Sequence, residues 1–401
     1  MRPAATALLM CCALAASCDC GRDRGTSPGP EPIPQTRPDP EPTTGDPDTS
    51  DPVGLAAGDL FTCALHASGR VRCWGTLPWA QGPASAEPSG PRPPADVPGV
   101  SDAADLACSG SGCCVARRDG SAVCWGPNLV DAWSDDEDRP AAFRAVVIDG
   151  VTDAVEAAVG DEHACARSAT GRVLCWGAGQ HGQVGDGRDS TPRRPTSPTG
   201  VSGATQLTAF WHTSCAVVTD GRILCWGLNA GGDVGDGTTV SRSRPTPVLG
   251  VTAVSLSRTC ASSREGTLLC WGDAAVRQLS EELAQQDRQA PVAVPDLTGV
   301  RRLAMGDEHT CAIVGDGQLW CWGNSSCGQL GEGRVGVREH AVLVTGLTAV
   351  ADIAVGDRHT CAIDATARVL CWGDDRFGQV GGRSAQPGRE CVTRPAVVSG
   401  G

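Results

Sequence analysis

The stretch CAIDATARVLCWG, Cys361–Gly373, decides the fold because it recurs in related form along the chain. Its two cysteines stand ten positions apart, and the second runs directly into Trp-Gly. The same step joins seven pairs: Cys63/Cys73, Cys114/Cys124, Cys165/Cys175, Cys215/Cys225, Cys260/Cys270, Cys311/Cys321 and Cys361/Cys371. The first cysteines are spaced by 51, 51, 50, 45, 51 and 50 residues. Such a period predicts a repeat architecture in place of several unrelated domains.

Each unit reads as a set of short strands. AVEAAVG (Ala154–Gly160) is small and apolar, and the two cysteine segments follow it as the arms of a hairpin. Six units place glycine six positions after the first cysteine, where a short hairpin loop requires a left-handed residue: Gly69, Gly120, Gly171, Gly221, Gly266 and Gly317. The seventh unit has Ala367 there. Segments containing Arg-Pro, such as Arg394–Val398, supply a fourth strand. Residues 54–401 are therefore predicted to form an all-β, seven-bladed β-propeller of four-stranded blades.

The spacing also predicts the state of the cysteines. Residues that face each other across an antiparallel hairpin lie at a separation that a disulfide can bridge, so we expect seven disulfides within blades. Zinc sites need more closely clustered ligands, which makes a metal the weaker interpretation. Cys108 with Cys113, and Cys327 with Cys391, are two further candidate pairs. Cys20 is left without an obvious partner if Cys18 is modified.

The N-terminal segment predicts export. An apolar run, Ala4–Ala16, precedes Ala16-Ser17-Cys18 and is too short for a permanent membrane span. Residues 1–17 resemble a bacterial lipoprotein signal, which implies lipidation of Cys18 and anchoring to an envelope membrane. The family prefers leucine where this chain has Ala15, so ordinary signal cleavage stays open. Residues 18–53 are rich in proline and aspartate, lack the apolar residues of a core, and are expected to be a disordered linker.

Charge and motifs limit the function. The chain carries 33 basic and 46 acidic residues, a net charge of −13, which disfavours nucleic-acid binding. We find no phosphate-binding loop, nucleophile elbow or zinc-protease motif, and expect no enzyme activity, cofactor, metal or nucleotide. The histidines near repeat cysteines, His163, His212, His309 and His359, are expected to hydrogen-bond within their blades instead of forming a metal ring. Ser134–Asp138 lacks the spaced ligands of a calcium loop.

The repeats also resemble a known family. GDEHTCAIVGDGQLWCWGNSSCGQLGEG (Gly306–Gly333) and the corresponding stretch Gly356–Gly382 resemble the regulator of chromosome condensation repeat. The resemblance implies a seven-bladed propeller. Members of that family have varied functions, which include protein binding. The namesake is a nuclear guanine-nucleotide exchange factor, a role that fits poorly with an export signal and paired cysteines. Blades three, four, six and seven keep a glycine-rich tail, for example GQLG at Gly328, and blades one, two and five lose it.

The three departing blades carry insertions instead: Thr76–Gly99, Pro127–Ala145 and Asp273–Pro291. Because rigid scaffolds place binding residues on loops, these insertions are candidates for contacting a protein partner, although sequence drift would also produce them. Trp79 and Trp133 are the expected aromatic anchors, with Asp135 and Asp136 as acidic candidates. The favoured interpretation is a monomeric, lipid-anchored binding propeller without catalysis. The alternative is an envelope hydrolase that uses acidic loop residues.

Overall fold

The computed structural model describes residues 50–79, 91–110, 112–126, 129, 145–272, 289–294, 297–347, 349–381 and 390–398. All of them belong to one compact unit, Pro47–Gly401. Cys18, Cys20, the signal and most of the linker lie outside the described residues, so the predicted anchor and domain boundaries stay predictions.

The unit consists of seven antiparallel sheets, each formed by consecutive segments of the chain. Grouped by sheet, the strands are β1 Pro52–Ala57, β2 Phe61–His66, β3 Val71–Gly75 and β4 Arg92–Asp96; β5 Ala103–Ser109, β6 Gly112–Arg117, β7 Ala122–Trp125 and β8 Val146–Val147; β9 Ala154–Val159, β10 His163–Ser168 and β11 Val173–Gly177; β12 Ala204–Phe210, β13 Thr213–Val218, β14 Arg222–Gly227 and β15 Arg242–Thr252; β16 Ser255–Ser257, β17 Cys260–Ser262, β18 Leu268–Cys270 and β19 Val292–Ala293; β20 Val300–Met305, β21 His309–Val314, β22 Gln318–Gly323 and β23 Arg338–Leu343; β24 Val350–Val355, β25 His359–Asp364, β26 Val369–Asp374 and β27 Cys391–Val397. The predicted seven-bladed, all-β propeller is confirmed.

The third blade departs from four full strands. Its outer position is reduced to a single bridge between Cys175 and Thr196. Pro192, Pro195 and Pro198 surround that bridge and have no backbone N–H to donate.

The hairpins have the predicted register. In the seventh blade Cys361 lies opposite Cys371, and the turn residue Ala367 has a φ of 58°. Glycine occupies that left-handed position in the other six blades, with φ between 79° and 101°. Ala367 adopts the same backbone because its turn closes with the same hydrogen bond, from its N–H to the carbonyl of Asp364 at 3.0 Å.

Polar side chains tie the inner strands into a ring. One side chain of an inner strand accepts a hydrogen bond from the inner strand of the next blade in four places: Asp105 from Ala157 N, Glu156 from Leu207 N, Gln206 from Leu256 N and Asp352 from Leu55 N. The last of these joins blade seven to blade one. Three of these bonds join residues about one repeat apart in the sequence, and the fourth joins residues 297 positions apart across the closure of the ring.

The repeated tryptophans lie between blades. All seven are buried, at most 1% exposed. Four donate their indole N–H to a carbonyl in the glycine-rich tail of the preceding blade: Trp74 to Gln379, Trp226 to Gln183, Trp271 to Asp233 and Trp372 to Gln329, at 2.8–3.0 Å. The other three, Trp125, Trp176 and Trp322, find no hydrogen-bond partner within the described part of the chain. Those three follow the blades that have lost the tail.

Replacing these tryptophans by phenylalanine separates packing from hydrogen bonding. We expect Trp372→Phe to lower the free energy of unfolding by about 1–2 kcal/mol more than Trp322→Phe, because only Trp372 loses a buried hydrogen bond. Both substitutions remove the same volume, so Trp322→Phe is the matched control. Urea unfolding followed by circular dichroism gives the difference, and equal losses would show that the tail carbonyl contributes nothing measurable.

The ring closes without exchanging strands between its ends. β27 pairs with β26 inside blade seven, and blade one contains its own four strands. Contacts across the closure include the hydrogen bond from Trp74 to Gln379 and one of 2.8 Å between Thr62 and His359. The outer strand of blade seven therefore belongs to its own blade, and blades seven and one close the ring by packing against each other.

Candidate binding face

The topology gathers two sets of turns on one face. In each antiparallel blade, the turn between the first and second strands lies on the same side as the connection between the third and fourth. Backbone hydrogen bonds join the two sets directly, from Thr76 to Leu60 and from Asn324 to Glu308, each at 2.9 Å. We call this side the loop face: residues 58–60, 110, 160–162, 211–212, 258–259, 306–308 and 356–358, with the third-to-fourth connections around them.

Four aspartates ring the channel mouth at the centre of the loop face. Asp59, Asp161, Asp307 and Asp357 occupy equivalent turns of blades one, three, six and seven, each directly after a glycine. The glycines allow the turns to approach one another closely. A Cβ on Gly356 would lie 2.6 Å from the carbonyl oxygen of Gly58, and one on Gly306 would lie 2.2 Å from that of Gly356. The Gly-Asp dipeptide therefore sets both the narrow mouth and its charge.

The crowded carboxylates resist ionisation. Two effects raise the pKa of Asp59 to about 6. Burial in the mouth contributes most, and the negative charges of Asp307, Asp161 and Asp357 add to it. Asp59 nevertheless remains exposed at the rim, where solvent screens part of this repulsion. Burial also raises the pKa of Asp161 and Asp357.

Blades four and five place different residues at the same turns. Trp211 and Arg258 stand there with left-handed φ values of 40° and 46°. The Arg258 guanidinium donates to Asp307 Oδ1 at 2.5 Å and lies 5.9 Å from the centre of the Trp211 ring. The mouth thus combines an excess of carboxylates with the Arg258 cation and one half-buried aromatic ring.

A cavity of about 230 Å³ continues from the mouth between the inner strands. Small and aliphatic side chains line most of it, including Leu106 and Met305, with Arg258 and Arg302 also on its wall. Cys108 borders it as well.

The opposite face differs in charge pattern. Five acidic side chains there pair with arginines: Arg70 with Asp96, Arg118 with Asp102, Arg172 with Asp153, Arg222 with Asp220 and Arg368 with Asp364. On an equivalent turn, Asp119 accepts from Ser121 instead. Each of those five carboxylates has a guanidinium beside it, whereas the four aspartates of the channel mouth outnumber the two arginines paired with them, Arg258 and Arg358.

The repeat histidines act between blades. His163 lies 2.7 Å from Ser214, His309 lies 2.7 Å from Thr360, and His359 contacts Thr62. Burial lowers the pKa of His163 and His309 to about 3 and that of His359 to about 4, so all three are neutral at pH 7. The expectation that they bond within their own blades is wrong, because the nearest hydroxyl belongs to the next blade.

Trp79 is not an exposed anchor, which corrects the prediction from sequence. It is 6% exposed and packs edge-on against Phe61 and Trp125, with ring centres 4.7 and 6.1 Å away. Leu129, at the start of the second insertion, is buried in the cluster that contains Trp176. Apolar residues of the first two insertions thus cover the next blade's tryptophan where the usual tail is missing. Trp133, Asp135 and Asp136 lie outside the described residues.

Nine disulfides join the predicted cysteines. Seven link residues ten apart within a blade: Cys63–Cys73, Cys114–Cys124, Cys165–Cys175, Cys215–Cys225, Cys260–Cys270, Cys311–Cys321 and Cys361–Cys371. Cys108–Cys113 and Cys327–Cys391 are the other two. In the described residues, the one compact group of three possible metal ligands, Cys63, Cys108 and Cys113, consists of these bonded sulfurs. So many disulfides suggest an exported protein.

Among the described residues, no helix is long and apolar enough to cross a bilayer.

Known proteins share the repeat and the fold. Residues 53–76, 154–183, 300–329 and 350–379 match a family model described as the regulator of chromosome condensation (RCC1) repeat, and residues 316–363 match a second model of the same description. The human E3 ubiquitin-protein ligase HERC2 is 28% identical over 175 residues, which cover 43% of this chain and 3% of that protein. The mouse protein matches equally.

Among solved structures, human WBSCR16 superimposes with a TM-score of 0.68 at 19% identity. The match covers 82% of this chain and 94% of that one. A likeness at this identity shows the fold alone.

Proposed function

This chain carries regulator of chromosome condensation repeats on a seven-bladed propeller, and we propose that it is an exported, non-catalytic binding protein that holds a protein partner on its loop face. The difference between the two faces carries this proposal. The loop face has at its centre a ring of four aspartates that is only partly balanced by Arg258 and Arg358, and the described residues that flank the insertions lie around that ring.

The charge of the ring indicates the partner's chemistry. A segment with lysine or arginine side chains would meet Asp59, Asp161 and Asp357 at the mouth, where complementary charge favours encounter and register. Trp211, half-buried beside Arg258, supplies an aromatic contact at the same place. A nucleic acid would be repelled by the same carboxylates.

The proposed site of action is the envelope. Lipidation of Cys18 would anchor the chain, and the proline-rich residues up to 53 would hold the propeller away from the membrane. Labelling cells with a radioactive fatty acid tests the anchor. The wild type should be marked and Cys18→Ser should not, whereas equal labelling of both would exclude it without bearing on the loop face.

Neutralising the ring tests the binding face. The triple variant Asp59→Asn, Asp161→Asn, Asp357→Asn should lose binding to a basic envelope protein about tenfold, because each of these solvent-accessible charges contributes up to about 1 kcal/mol. The matched control neutralises three acids of the opposite face, Asp96, Asp102 and Asp153, and should bind as the wild type does. Partners are captured on the immobilised protein and their affinities measured by surface plasmon resonance. Equal binding by both triple variants would overturn the proposal.

Acidification gives a second readout. Binding should weaken from pH 7.5 to pH 5.0, because Asp59, with a pKa of about 6, becomes protonated over that range. The effect on stability has the opposite sign. A carboxyl whose pKa is raised by folding binds its proton more tightly in the folded state, so stability rises as pH falls from about 6 towards 4. Weaker binding at pH 5.0 with an unchanged or higher thermal midpoint therefore reports the charge of the ring and not unfolding.

A further inference from the structure

Two disulfides of neighbouring blades touch at one point. Cys63 Sγ and Cys113 Sγ lie 4.0 Å apart, although Cys63 is bonded to Cys73 and Cys113 to Cys108. Cys63 and Cys113 are fully buried, both at 0% exposure, in the cluster between blades one and two. Cys108 is partly exposed and borders the central cavity.

The repeat explains why the two sulfurs meet. Cys113 occupies the strand position held by Ser214 in blade four and by Thr62 in blade one. Those hydroxyls also face the disulfide of the preceding blade: Ser214 Oγ lies 3.9 Å from Cys165 Sγ, and Thr62 Oγ1 lies 3.6 Å from Cys361 Sγ. Blade two alone places a cysteine at this position. The next residue, Cys114, points to the other side of the sheet and packs towards blade three.

From this geometry we propose that Cys108–Cys113 is a thiol–disulfide exchange site that takes an external thiol at Cys108 and passes the exchange to Cys63. An incoming thiolate attacks Cys108 Sγ, the partly exposed sulfur, and forms a mixed disulfide with it. Cys113 leaves as the thiolate. Cys113 then attacks Cys63 Sγ, forming Cys63–Cys113 and releasing the thiolate of Cys73. Each step breaks one disulfide and forms one, so neither step needs an oxidant or a reductant.

The acidic ring predicts which thiol reacts fastest. Cys108 precedes Ser109, the last residue of β5, whose hydroxyl donates to the Asp161 carboxylate at 3.4 Å. An anionic thiol is repelled at such a mouth and a cationic one is concentrated there. Each thiol's rate must be divided by its rate with a small-molecule disulfide, because the thiols differ in their own pKa and reactivity. On that scale cysteamine should modify Cys108 several-fold faster than 3-mercaptopropionate, with neutral 2-mercaptoethanol between them, and added salt should reduce the difference.

Disulfide mapping of the folded full-length chain tests the relay. The protein is incubated with cysteamine without denaturant, quenched with acid, alkylated, and cut with trypsin plus a protease specific for acidic residues. These cuts separate Cys63 and Cys73 from each other and from the peptide that holds Cys108, Cys113 and Cys114, and fragment-ion spectra assign the modifications within that peptide. The expected products are cysteamine on Cys108, a new Cys63–Cys113 link and an alkylated Cys73, with Cys114–Cys124 and the other blade disulfides intact.

Two variants fix the order of steps. Cys108→Ser leaves Cys113 as a thiol, so the Cys63–Cys113 link should form without added thiol and the label should divide between Cys73 and Cys113. Cys113→Ser removes the relaying sulfur, so Cys63–Cys73 should stay intact under the same treatment. Circular dichroism checks that both variants fold. If either variant does not fold, the disulfide map of the wild type by itself tests the relay. Alkylation of Cys113 with Cys63–Cys73 intact would overturn the relay, and modification spread evenly over all blades would overturn the site.

Discussion

Deleting Thr393–Gly401 should open the ring, lower the free energy of unfolding by on the order of 5 kcal/mol and make the protein aggregate. The deletion removes most of β27, which covers β26, a strand buried along its whole length. It also removes Val398, 5% exposed in the core between blades seven and one. The bare edge of β26 would then offer unpaired backbone groups to another molecule.

A shorter deletion supplies the control. Removing residues 399–401 leaves β27 and Val398 in place and should change neither the thermal midpoint nor the oligomeric state. Size-exclusion chromatography with light scattering and thermal unfolding measure both variants. If the longer truncation remains monomeric with the wild-type midpoint, blade seven does not depend on its outer strand.

Reducing the disulfides should unfold the propeller completely. A disulfide that closes a loop of this length stabilises by about 2–3 kcal/mol in the chain-entropy model, and seven such loops together exceed the 5–15 kcal/mol that holds a typical domain folded. Protein refolded from urea in dithiothreitol should therefore lack β-sheet circular dichroism. The fluorescence of its seven blade tryptophans, buried in the native state, should shift to longer wavelength.

Refolding without dithiothreitol is the control, and a single-blade variant calibrates the effect. Cys215→Ala with Cys225→Ala should lose about 2–3 kcal/mol and remain folded. A cooperative, native-like transition in the fully reduced protein would show that the cysteines serve mainly as small buried apolar side chains.

The fold was predictable because the same hairpin pattern occurs seven times in the sequence. Cysteine spacing, turn glycines and Trp-Gly steps are local features, and each has one structural solution in a hairpin. The pairing of Cys327 with Cys391 was also predictable, because both follow the Trp-Gly step of neighbouring blades; Cys327 lies in the tail of blade six and Cys391 begins β27. Local sequence did not reveal that His163 bonds to Ser214, because that contact joins residues 51 positions apart.

The binding face was harder to predict. Trp79 was expected to be exposed because it lies in an insertion, but it covers the next blade's Trp125 where a tail is missing. The sequence did not indicate the acidic ring, because its members are about fifty or more residues apart and each belongs to the repeat motif. Counting charged residues at equivalent turn positions would have found it, once strand direction showed that those turns converge.

The tail carbonyls that accept from tryptophan occur at only some of the junctions between blades, so neighbouring blades are held together with unequal strength. Hydrogen bonds from tryptophan bind blade three to four, four to five, six to seven and seven to one. The junctions on either side of blade two, and between blades five and six, lack them in the described residues. Subglobal opening should therefore separate two three-blade arcs, blades three to five and blades six, seven and one, and leave blade two as the first to detach. The two sulfurs that meet between blades one and two therefore lie at a junction that should open before the rest of the ring unfolds.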